Sequence, residues 1–113
     1  MRRRRVISDY LADMADYADK ACRLTQEMDL QGFLADERTQ LAVVRCLEVI
    51  GEAAKRVPAS FRARHPEVPW AEAAGIRDVL IHDCIGIHLE VVWKTVRQDL
   101  PSLRAVLLPI LDT

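Results

Sequence analysis

Apolar residues spaced three and four apart restrict this chain to helices. Ile7, Leu11, Met14, Ala18, Cys22 and Thr25 fall on one face of a helix predicted over about Val6 to Met28. Leu41, Val44, Leu47, Ile50, Ala54 and Val57 form the stripe of a second, over about Glu37 to Val57, which Pro58 ends. Asp36 is placed to cap that second helix, with Glu37 favourable to its dipole. Gly51 in mid-helix lowers helix propensity, so a neighbouring helix is expected to approach closely there. Asp29 to Asp36, with Gly32, reads as a connection. Residues 58–69 carry Pro58, Pro66 and Pro69 and read as a linker with a short helix around Ser60 to Arg64. A helical stretch from Trp70 to about Cys84 is interrupted near Gly75, and Gly86 marks a turn. The last helical region spans about His88 to Leu111, and Pro101 either kinks it or restarts it as a first-turn proline. No stretch alternates with the period of two that a strand requires. The expected fold is all-α, an up-down bundle of four or five helices in a single domain over residues 1–113, with residues 1–5 as a basic tail.

Composition agrees and removes several function classes. Half of the 113 residues are hydrophobic and only 5% are aromatic, which suits a packed helical core rather than a disordered chain. A formal net charge of −1 means that any nucleic-acid partner must be met by a local patch. The three cysteines, Cys22, Cys46 and Cys84, are distant from one another and form no metal-binding spacing, so a reducing cytoplasm is expected, with no cofactor and no metal. No apolar stretch follows the N-terminal arginines as in a signal peptide, and no run is long enough to span a membrane.

Chemistry concentrates in GIRDVLIH (75–82). Asp78 and His82 are four apart and share a helix face, where the carboxylate can hold the imidazole in one tautomer. Arg77 and His82 are five apart, roughly 140° around an ideal helix, so they flank a common side. Metal-free RNA cleavage needs a base for the ribose 2′-OH proton and a cation for charge building on the phosphate oxygens. Histidine and arginine supply these. Taken alone, the pair reads more readily as a solvated arginine beside a half-buried structural histidine.

The surrounding blocks are more specific. RCLEVIGEAAKRV (45–57), HPEVPW (65–70), GIRDVLIH (75–82) and VVWKTVRQDLP (91–101) together resemble the HepT branch of the HEPN-domain ribonucleases, the toxin half of HEPN/nucleotidyltransferase toxin–antitoxin pairs. The resemblance implies a homodimer in which two motifs face one cleft. It implies catalytic roles for Arg77, Asp78 and His82, an RNA substrate, and a nucleotidyltransferase antitoxin as partner. The sequence departs from the family pattern at two positions. Asp78 stands where these proteins usually carry Asn. Cys84 stands in the slot of the Tyr that the partner enzyme modifies with AMP. The alternative reading is a non-catalytic HEPN-like module that binds nucleotides or proteins.

The remaining polar and aromatic residues receive plainer expectations. Arg2 to Arg5 form a solvated tail or contact RNA or a partner. His65 is expected exposed in a loop, and His88 near the start of the last helix, within reach of RNA. Trp70 and Trp93 are expected in the core or an interface. Glu48 and Glu52 read as a solvated face or as polar partners to the motif arginine. Cys22 and Cys46 read as inert core thiols, and Cys84 as buried or as a thiol beside Arg77.

Overall fold

The computed structural model describes residues 5–76, 78 and 88–112, and no strand occurs among them. Two long helices, α1 (Ile7–Thr25) and α3 (Glu37–Arg56), pack along their length. Arg5, Tyr10 and Asp13 share a cleft with Arg45 to Arg56, so the two run antiparallel. Short helices α2 (Leu30–Leu34), α4 (Ala59–Arg64) and α5 (Trp70–Ala74) close the ends and one side. The C-terminal rod is α6 (Leu89–Lys94), a π-turn (Thr95–Asp99) and α7 (Leu100–Leu111). Cys22 meets Val96, and Asp19 meets Arg104, which sets this rod antiparallel to α1. None of the helices among the described residues is long and apolar enough to cross a membrane.

The predicted stripe of α1 is the core face. Leu11, Met14, Ala18 and Thr25 are buried, with Ile7 and Cys22 packed at its edge. Thr25 is wholly buried because its hydroxyl is satisfied, donating to the Ala21 carbonyl at 3.1 Å. The stripe of α3 differs at its start. Val43, Cys46, Leu47, Ile50, Ala53, Ala54 and Val57 are buried, whereas Leu41 is 61% exposed. Spacing alone permitted either row, and packing against α1 selects the one through Val43.

The helix ends show why the connections are short. Asp36 caps α3, accepting from the Thr39 backbone N–H at 3.1 Å and the Thr39 hydroxyl at 2.9 Å, and these bonds hold its carboxyl below the usual range. The segment read as a plain connection contains α2. Asp29 accepts from the Gly32 N–H at 2.8 Å, and Phe33, wholly buried, anchors the turn. A Cβ on residue 32 would sit 3.2 Å from the Asp29 carboxylate, so glycine gives the cap its room. At the far end of α3, the Arg62 guanidinium donates to the carbonyls of Val57 (2.9 Å), Ala54 (3.2 Å) and Lys55 (3.3 Å). It thereby satisfies acceptors that a helix C-terminus leaves open.

Pro101 occupies the first turn of α7, directly after the π-turn. In a continuous α-helix its ring would strike the carbonyl four residues back. The wider turn, in which the Leu100 N–H reaches the Thr95 carbonyl, removes that conflict. Of the two expectations for Pro101, a kink or a first-turn position, the first-turn position is what occurs.

Gly51 makes the close approach expected of it. A Cβ there would lie 3.0 Å from Ile76 Cγ2, 3.6 Å from the Ala73 carbonyl and 3.7 Å from that of Ala74. A Gly51→Leu substitution should push α5 off α3 and cost about 1–3 kcal/mol by overpacking. Chemical denaturation that leaves stability at the wild-type value would contradict this contact.

Candidate active site

The helix that leads into the Arg–Asp–His stretch is five residues long, too short to hold itself. Three contacts brace it. Val68 and Trp70 are buried, and the Trp70 indole N–H donates to the His65 carbonyl at 2.9 Å. Phe61 packs edge-on to Trp70 with ring centroids 6.3 Å apart. Ala73 and Ile76 are buried on the Gly51 side of α3. The block HPEVPW is thus a clasp. Its proline-bounded turn lets residue 65 offer a carbonyl to the indole five residues on.

Gly75 ends α5, its N–H donating to the Ala71 carbonyl, and the Asp78 N–H donates to the Gly75 carbonyl at 2.9 Å. Asp78 is exposed. Arg77, His82 and Cys84 lie outside the described residues, as does the turn expected at Gly86. The chain is described again from His88, which is exposed and stands at the N-cap of α6. The structure therefore fixes the entry to the candidate site through Ile76 and its exit through α6. Trp93 of α6 stacks on Phe33 of α2 at 5.4 Å between centroids.

A groove of about 660 Å³ adjoins the entry, bounded by Ile76, Leu100, Leu103 and Val106. Glu67, Glu72 and Asp99 stand on its rim. A second cleft, between α1 and α3, holds Arg5, Arg45 and Arg56 against Asp13, Glu48 and Glu52. Arg5 pairs with Asp13 at 2.6 Å and Arg56 with Glu52 at 3.0 Å. Glu52 thus belongs to a charged helix face, and Arg5 of the expected tail is tied to α1. Among the described residues no three His, Cys, Asp or Glu side chains group as a metal site.

The other candidates resolve individually. His65 is half-buried rather than exposed, since its ring packs on Phe61 at 4.6 Å and Nδ1 lies 3.3 Å from the Glu67 carboxylate. Trp70 lies in the core and Trp93 is half-buried. Burial pushes the Cys22 and Cys46 thiols up, as expected of unreactive core cysteines. Arg62 escaped the sequence reading. Its only signal is an arginine four residues after the proline that ends α3.

Among the described residues the fold is an all-helical bundle, consistent with the HEPN class. The comparisons narrow the class. Residues 14–110 match the family model described as ribonuclease HepT-like. The chain is 48% identical over 96 residues to "Probable ribonuclease HepT" of Thermococcus cleftensis, covering 85% of this chain and 87% of that relative. It is 39% identical over 101 residues to "Putative RNase MJ0125" of Methanocaldococcus jannaschii, covering 89% and 87%. A bacterial relative, "Putative RNase TTE0752" of Caldanaerobacter subterraneus, is 35% identical over 103 residues, covering 91% and 92%. No solved structure matches the chain. The protein belongs to the HepT-like ribonuclease family.

Because the indole hydrogen bond is one of the three contacts that brace α5, Trp70→Phe should lower stability by about 1 kcal/mol. The loss should appear as faster amide exchange at Ala73 to Ile76 before it appears in α1. Uniform exchange across both helices would mean that the clasp is not a local brace.

Proposed function

We propose that the protein is a metal-independent endoribonuclease whose catalytic pair is His82 and Arg77. The carrying observation is the family match over residues 14–110, which spans the whole motif. His82 takes the 2′-OH proton of the nucleotide 5′ to the cut, and the oxygen attacks the adjacent phosphorus. Arg77 neutralises the charge that grows on the non-bridging oxygens. The bond between phosphorus and the 5′-oxygen of the next nucleotide breaks, that oxygen takes a proton from water, and the product strand ends in a 2′,3′-cyclic phosphate. Asp78 orients His82. Two copies of the chain pair so that both motifs face one cleft, and base and cation then need not come from one chain. The protein is the toxin of a pair whose antitoxin is a nucleotidyltransferase, acting in the cytoplasm.

The test is cleavage of RNA by the purified chain. His82→Ala and Arg77→Ala should each slow cleavage by a factor on the order of 10²–10⁴ while remaining folded. Activity should persist in EDTA, because protein side chains supply both base and cation. Loss on chelation with recovery in magnesium would refute the mechanism, and full activity in either variant would refute that residue's role.

Cys84 carries a second expectation. A thiol stands where the family has the phenol that receives AMP, so a cognate nucleotidyltransferase should leave residue 84 unmodified. Cys84→Tyr should gain an AMP-sized mass increment with such an enzyme, ATP and magnesium. Intact mass and peptide sequencing that place AMP on wild-type Cys84 would refute this.

A further inference from the structure

An RNA strand needs cations along its backbone, and neither of the two clefts described above offers a surplus among its described lining residues. The groove beside Ile76 has three carboxylates on its rim and no Lys or Arg among its described lining residues. The cleft between α1 and α3 balances three arginines with three carboxylates. Three arginines gather where the C-terminal rod crosses the end of α1. There Asp19 is shared by Arg23 at 2.9 Å and Arg104 at 3.4 Å. Arg97, on the π-turn, has no carboxylate partner among the described residues. Its Nη1 donates to the Thr25 hydroxyl at 3.4 Å, and its Cζ stands 5.8 Å from the centre of the half-buried Trp93 ring. Arg97 contacts Thr25 and Arg104 contacts Asp19, and between them the Cys22 thiol donates to the Val96 carbonyl at 3.7 Å, so both guanidiniums lie along one stretch of α1.

This geometry suits phosphate rather than a structural ion pair. Two guanidiniums, those of Arg23 and Arg104, share one carboxylate, and Arg97 stands beside them with none among the described residues. A guanidinium has five N–H donors, and Arg97 spends one of them on Thr25. The Thr25 bond and the Trp93 ring hold its fork in place, so little freedom is lost on binding an anion. Arg97 and Arg104 are seven residues apart, about 10 Å along the rod, a span that meets a short run of backbone phosphates. The rod starts at His88, where the chain leaves the motif segment.

We propose that Arg97 and Arg104, with Arg23 beside them, form a phosphate-binding patch that holds the RNA strand while the Arg77–His82 motif acts on it. This inference rests on the ribonuclease reading. The patch carries no base-reading group, so it contributes affinity and register rather than sequence preference.

The experiment uses a fluorescent, unstructured single-stranded RNA and the His82→Ala protein, with affinity measured by anisotropy over a series of salt concentrations. Replacing both residues, Arg97→Gln with Arg104→Gln, should weaken binding at least 10-fold at low salt. It should also reduce the slope of log K against log salt by about 1.4, two phosphate contacts at about 0.7 each. Arg64→Gln, on α4, should change neither. If the double variant misfolds, Arg104→Gln alone should reduce the slope by about 0.7. An unchanged slope, with or without a fall in affinity, overturns the patch, while cleavage by the native chain would leave the ribonuclease reading standing. If the native chain neither cleaves nor binds this RNA or total cellular RNA, the ribonuclease reading fails and takes the patch with it.

Discussion

The contact between Gly51 and Ile76 is the constraint on which the rest depends. α3 is the long central helix, buried along one side, and its position is set by α1. α5 has five residues and no autonomous stability. What the chain presents after residue 76 is therefore anchored by how closely α5 can seat on α3. The absence of one Cβ sets that distance, because α5 brings the carbonyls of Ala73 and Ala74 to within 4 Å of where it would be. A close approach of this kind leaves little room for α5 to slide along α3.

The same economy runs through the other junctions. α1, α2 and α3 are joined by few residues because side chains close their ends. Asp29 and Asp36 cap α2 and α3, and Gln40 donates to the carbonyls of Phe33 and Leu34 at 2.9 and 3.1 Å. Arg62 does the corresponding work at the C-terminus of α3. Each bond satisfies a backbone group that would otherwise need water, so the turns can lie against the core.

Much of this was legible in the sequence. The faces of α1, the cap at Asp36, the stop at Pro58 and the tight approach at Gly51 follow from local rules of spacing and stereochemistry. α2 was not legible, because five residues carry no periodicity and only the Asp-to-Gly cap and one buried Phe define it. The choice of Val43 over Leu41 was not legible either, since it depends on where α1 lies. The family was legible through the companion blocks rather than through the spacing of Arg77 and His82. The grouping of Arg23, Arg97 and Arg104 joins residues up to 81 positions apart, and only the folding of the rod onto α1 brings them together.

The π-turn has a consequence of another kind. Its extra residue means that the last helix has an indexing step built into it, locked from one side by Pro101. Removing the step by deleting a residue would bring the proline ring back against the preceding turn. Keeping the step while shifting α7 would swing Leu103 and Leu107, both buried, out of the core. The rod is therefore a ratchet with one stable tooth. Insertions and deletions within 95–101 would break that register, so changes of length belong in the connections instead.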